Sequence, residues 1–108
     1  MSLVKIITYV PVDYADKVRE AFGNAGAGKL GNYSFCSFST RGEGRSMPLH
    51  GATPFYGTQG EVSLEQEERI EVVCERELAK RAVEQMKEVH PYEEVAYEII
   101  ELLDEDSL

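Results

Sequence analysis

An imidazole, a phenol and two carboxylates stand within five residues at His90-Pro91-Tyr92-Glu93-Glu94. That set can change charge near neutral pH, donate a hydrogen bond or ligate a divalent cation, because imidazole nitrogens and carboxylate oxygens are both metal donors. The run also has a plainer reading. Pro91 cannot continue a helix and biases His90 toward extended backbone, which suits a helix-to-strand junction whose imidazole and phenol bond neighbouring backbone. His90 and His50 are the only histidines, too few for a zinc site of imidazoles within one subunit. A cation at this junction would therefore need Glu93 or Glu94, with Cys36 as a further donor and copies of the chain meeting around it.

Three other runs carry residues of the right type. Gly23-Asn24-Ala25-Gly26-Ala27-Gly28-Lys29 matches the glycine and lysine spacing of a phosphate-binding loop, but it leaves a predicted helix and enters a strand. A phosphate loop does the opposite, so that backbone amides and the helix dipole meet the anion, and Leu30 replaces the magnesium-binding hydroxyl. The segment reads as a glycine helix stop and turn, whose amides can still cradle an anion. Cys36 has no assignable base, so a nucleophilic role lacks the partner that such chemistry needs. Cys36 and Cys74 form no Cys-x-x-Cys pair, and both read as reduced strand thiols. Arg69 and Glu71, two apart on a strand, point to one face and can pair with each other or with a neighbouring copy.

Charge and composition restrict the partners. Twenty acidic against eleven basic residues give a net charge of −9, a field that repels a phosphate backbone, so nucleic acid is not an expected partner. No apolar window reaches the ~18 residues of a membrane helix, and the first residues do not read as a secretory signal. A cytoplasmic domain is the expectation.

The hydrophobic pattern places these residues on a small set of elements. A strand is expected over 3–10, then a helix capped by Asp13 with an apolar stripe at Tyr14, Val18, Ala21, Phe22 and Ala25. Alternation predicts a strand over 32–40 and another over 68–75, separated by a glycine-rich loop over 41–66 with room for a short hairpin. Leu78, Ala82, Val83, Met86 and Val89 mark a second helix, and residues 94–103 a last strand. The order β-α-β-loop-β-α-β predicts an α+β, ferredoxin-like βαββαβ sandwich, an antiparallel sheet with two helices on one face. Apolar residues on both sides of the last strand leave the other face in need of cover, most simply by another copy of the chain. The domain is expected over 1–103, followed by an acidic tail, 104–108, that frays.

The order of Val4-Lys5-Ile6-Ile7-Thr8-Tyr9-Val10-Pro11, the Gly31-Asn32-Tyr33 strand entry, Arg69-Ile70-Glu71 and the His90 to Glu94 junction resembles the PII-like, CutA-like domain of YqfO-type dinuclear-metal proteins. The resemblance spans nearly the whole chain. It does not extend to the metal-binding parts of those long proteins, so their hydrolase or cyclohydrolase names are not carried over. It implies a PII/CutA-like homotrimer with small-ligand or cation sites between subunits and a loop, 41–66, that contacts partner proteins. The ligand-binding residues expected on this basis are Gly28, Lys29, Gly31, Asn32, Tyr33, Arg45, Pro54, Phe55, Gly57, His90, Tyr92 and Glu93, brought into one cleft. A non-enzymatic binding and regulatory domain is the first expectation. Beside it stand a CutA-like divalent-metal or copper protein, using His90, Glu93, Glu94 and Cys36, and a purely structural oligomerisation module.

Overall fold

The computed structural model of the chain describes residues 2–108. Four strands, β1 (Leu3–Pro11), β2 (Phe38–Ser46), β3 (Ser63–Glu75) and β4 (Tyr97–Glu101), are joined by two helices, α1 (Ala15–Asn24) and α2 (Arg76–Val89), in the order β-α-β-β-α-β. All neighbouring strands are antiparallel and the sheet runs β2-β3-β1-β4. This is the α+β, ferredoxin-like arrangement expected from the hydrophobic pattern.

Period-two burial on the central strands meets helical periodicity on α1 and α2. Val4, Ile6 and Val10 of β1 and Ile70, Val72 and Cys74 of β3 form one core with Val18 and Phe22 of α1 and Ala79, Ala82, Val83 and Met86 of α2. Thr8 and Glu68 are polar residues on the same face of the sheet, Glu68 paired with Arg19 of α1 at 2.7 Å. For Thr8 the partner is backbone. Thr8 is fully buried and its hydroxyl donates to the Ala96 carbonyl at 2.9 Å, fixing the chain just before β4 to β1. On the opposite face the register sets Ile7 beside Glu71 and Glu98. Lys5 and Arg69 pair with Glu71 at 3.3 and 3.4 Å, and the Tyr9 phenol donates to Glu98 at 2.9 Å. The expected Arg69–Glu71 pairing is thus one link in a polar layer over the sheet.

The largest difference from the sequence expectation lies between residues 32 and 66. The strand expected over 32–40 is displaced to Phe38–Ser46, and β3 begins at Ser63 rather than 68. The two strands pair from Phe38 opposite Glu71 to Ser46 opposite Ser63, so the loop shrinks from 41–66 to 47–62. Glycine, arginine and glutamate in 41–46 depress local strand propensity, but cross-strand pairing supplies what propensity lacks. β4 is also shorter than the expected 94–103, pairing with β1 over Tyr97–Glu101. Asp13 does not cap α1. A single 3-10 turn over Val12–Tyr14 intervenes, and Tyr14 stands at the cap position with no side-chain bond. The acidic tail, expected to fray, closes in another 3-10 turn, Glu105–Ser107, capped by Asp104.

The glycine-rich segment ends α1 as a helix stop. Ala27 N–H bonds the Phe22 carbonyl and Gly26 N–H the Gly23 carbonyl, both at 3.0 Å, with Gly26 in the left-handed region, the paired-bond signature of a Schellman cap. Gly28 then crosses onto β3, donating to Val73 O at 2.7 Å and accepting from Cys36 N at 2.8 Å. Its φ is +83° and an added Cβ would lie 2.5 Å from the Cys36 carbonyl oxygen. Backbone cannot give way as a side-chain tip can. Gly28→Ala is therefore expected to destabilise the fold by about 2 kcal/mol or more, combining left-handed strain with displacement of residue 36. Urea unfolding checks this, and an unchanged midpoint would contradict the role given to Gly28.

Candidate functional site

α2 stops at Val89 because Pro91 cannot continue it, and His90 is already extended at φ −77°, ψ 131°. That exit turns the imidazole inward. His90 is 7% exposed, its Nε2 donates to the Tyr9 carbonyl of β1 at 2.7 Å, and its Nδ1 accepts from Tyr92 N–H at 3.2 Å. The ring is thus neutral with the proton on Nε2, and both nitrogens are engaged. Burial lowers its pKa below the usual 6.5, opposed by the Tyr9 carbonyl and Glu67.

The following residues fasten three further elements. Tyr92 packs its ring 4.9 Å from His90 and donates its hydroxyl to Glu67 of β3 at 2.6 Å. Its own ionisation is driven far upward by burial and by the Glu67 carboxylate, so it is a permanent donor. Glu93 accepts from Thr53 N–H at 3.1 Å and from the Thr53 hydroxyl, tying down the loop. A ladder of rings continues from Tyr92 to Tyr56 at 6.4 Å, Phe55 at 4.5 Å and Tyr14 at 5.7 Å. Edge-on and tilted contacts of this kind stabilise ring pairs beyond the area they bury.

Between the fastened loop, the end of the β2–β3 hairpin and the junction lies a groove of about 470 Å³. Met47, Pro48, Leu49, Pro54, Phe55 and Tyr56 wall it from the loop, Tyr9, Glu65 and Glu67 from the sheet, and Tyr92, Glu93 and Glu94 from the junction. Gly44 is a glycine for a local reason: a Cβ there would fall 1.9 Å from Glu67 Oε1. The missing side chain lets Glu67 lie across β2 within reach of Tyr92.

The structure divides the expected ligand set. Arg45, Pro54, Phe55, Tyr92 and Glu93 line the groove; His90 lies beneath its floor, and Gly57, at φ +96°, bends the loop back with its Cα side against Ser63 and Pro48. Gly28, Lys29, Gly31, Asn32 and Tyr33 are elsewhere. Gly28 is bonded to Val73, six residues along β3 from Glu67 or roughly 20 Å of strand. Within one subunit the expected single cleft does not form. The proposed metal donors are likewise not assembled, since Cys36 sits beside Gly28 and both His90 nitrogens are used. Among the described residues no three His, Cys, Asp or Glu side chains converge as a metal cluster.

Tyr56 falls within the Pro54 to Gly57 stretch expected at the cleft, whereas Thr53, Glu65 and Glu67 are not among the expected site residues. For the two glutamates the signal is the spacing-two series Glu65, Glu67, Arg69 and Glu71, which continues strand alternation back into the segment that reads as loop.

The sheet order, the helix layer and the groove at the hairpin base define a PII-like, CutA-like domain. The GTP cyclohydrolase 1 type 2 homolog of Bacillus subtilis (strain 168) is 50% identical over 97 residues, covering 90% of this chain and 26% of that protein. The homolog from Halalkalibacterium halodurans is 42% identical over 104 residues, covering 96% and 28%. A Bacillus cereus protein related to NIF3 superposes with a TM-score of 0.83 at 39% identity over 95% of this chain and 26% of that one. The chain is similar to one stretch of these NIF3-related proteins, and spans about a quarter of the length of the curated relatives it matches. CutA from Archaeoglobus fulgidus, a divalent cation tolerance protein, gives a TM-score of 0.69 at 12% identity over 94% and 85% of the two chains. The PII-like protein CutA from Nostoc gives 0.65 at 17% over 100% and 86%. At those identities the likeness shows the fold. No protein-family model matches the chain. Among the described residues no helix is long and apolar enough to cross a membrane.

The buried, neutral imidazole couples stability to pH. With its folded pKa below 6.5, the unfolded chain binds the proton more readily. The stability due to His90 is full above about 6.5 and is lost as the pH falls from there toward the folded value. Thermal melts from pH 7.5 to 5.5 should show a falling Tm in the wild type and a shallower slope in His90→Gln; equal slopes would mean that His90 does not titrate this way. Tyr92→Phe, which strands a partly buried Glu67 oxygen, should cost about 1–2 kcal/mol by chemical denaturation.

Proposed function

We propose that the chain acts as a non-enzymatic, cytoplasmic PII-like binding domain, assembling as a homotrimer and taking a small ligand in the groove beneath the 47–62 loop. The observation that carries this reading is the use made of the junction. His90, Tyr92 and Glu93 are spent on holding β1, β3 and the loop in place, and the product of that fastening is a preformed concavity of about 470 Å³. Such a volume, walled by apolar and aromatic side chains with a few polar groups, is what small-ligand sites offer. Loop 47–62 shifts with whatever fills the groove, and partner proteins would read that loop.

Self-association is supported by the uncovered sheet face. Leu3, Phe38 and Ile100 are exposed there, on the side opposite the helices by register, and large apolar groups on such a face favour burial against a copy. A CutA-like metal role is the second reading. It draws on the cation-tolerance protein of the same fold, and would need donors from more than one subunit, given the separation of Cys36 from His90. The cyclohydrolase name of the longer relatives concerns proteins of which this chain matches a quarter, and is not transferred.

Native mass spectrometry of the untreated protein tests the assembly and the ligand together. A trimer with retained organic mass is the expected result. Retained copper or zinc would favour the metal reading, and a monomer would overturn the trimer. Tyr56→Ala, which removes a groove wall without touching the core, should release the retained mass while leaving the trimer intact.

A further inference from the structure

We infer that the groove selects an organic cation, a primary ammonium or guanidinium on an apolar or aromatic stem, over the anionic ligands to which a glycine-rich turn would point. The inference rests on the groove being the ligand site and adds the class of ligand. Four carboxylates line it, Glu65, Glu67, Glu93 and Glu94, against one basic side chain, Arg45. Arg45 is itself paired with Glu43 at 3.3 Å, so the groove is left with an excess of negative charge.

The carboxylates are not equivalent. Glu67 is held by the Tyr92 hydroxyl and Glu93 by Thr53. Among the described residues, Glu65 and Glu94 take no hydrogen bond or ion pair, although both line the groove. The structure therefore contains two acceptors that no fastening uses, beside the rings of Tyr56 and Tyr92. Aromatic faces attract ammonium and guanidinium groups through the ring quadrupole, and carboxylates accept their N–H bonds. The apolar wall of Met47, Pro48, Leu49 and Phe55 suits the stem of such a ligand. A bare divalent ion fits less well, since the donors do not converge as a metal cluster among the described residues. The volume is that of a whole small molecule rather than of a single side chain.

The experiment compares tryptamine with indole-3-propionate, an aromatic stem of similar size carrying opposite charge, by amide chemical shifts in the intact 108-residue chain. Tryptamine is expected to move the amides around Tyr56, Glu65 and Glu94 saturably and more weakly at high salt, with no response to indole-3-propionate. The double variant E65Q/E94Q should weaken tryptamine binding roughly fivefold or more, as for loss of partly exposed charge pairs. Indole-3-propionate binding at the same residues as tightly as tryptamine, or an unchanged tryptamine affinity in the double variant, would overturn the charge preference while leaving the groove a ligand site. Silence from both probes at the groove, with the rest of the spectrum unaltered, would remove the ligand-site reading as well.

Discussion

Everything around the groove depends on one buried imidazole. His90 stands where α2 gives out, and its two nitrogens close the break by bonding the Tyr9 carbonyl on one side and the Tyr92 amide on the other. A backbone carbonyl or amide taken out of water without a partner is costly. His90 meets that need with a side chain able to donate and accept at once, which among the neutral residues of this size few can do. The orientation that results is what aims Tyr92 at Glu67 and Glu93 at Thr53. Three elements distant in sequence, β1, β3 and the loop, are therefore positioned from five consecutive residues.

The layered fold was legible because it rests on periodicity. Val4, Ile6, Val10 and Ile70, Val72, Cys74 alternate as core strands must, and Ala79, Ala82, Val83 and Met86 repeat as a helix stripe does. The hairpin was not legible in the same way. Residues 41–46 carry two glycines, two arginines, a glutamate and a serine, and nothing local makes them a strand; their partners on β3 do. Gly44 shows why composition misleads here, since it reads as flexibility and in fact makes room for the Glu67 carboxylate. Gly23 is similar. In sequence it reads as part of a glycine turn, yet it seats the ring of Phe35, whose atoms would lie 2.0 Å from an added Cβ.

The candidate site was half legible for a related reason. The sequence marks residue types that can do chemistry, such as His90, Tyr92 and Glu93. It cannot distinguish side chains consumed by structure from side chains left over. His90 and Glu93 turn out to be consumed, whereas Glu65, which drew no notice inside a presumed loop, lines the groove. The Gly28–Tyr33 run was placed in the same cleft on the strength of resemblance, and the register of β3 separates the two within a subunit.

That separation bears on how the fold divides its work. One end of β3 receives the Gly28 crossing, where backbone bonds and a left-handed glycine leave little freedom. The other end carries the hairpin and the loop, held by side-chain bonds to Glu67 and Glu93 and by edge-on rings. Backbone ladders open only with the sheet itself, whereas side-chain fastenings at the surface can release locally at much smaller free energy. The groove thus sits at the end of the domain that can open locally without disturbing the core. The rigid sheet holds the acceptors, and the loop's few tethers set how readily it moves.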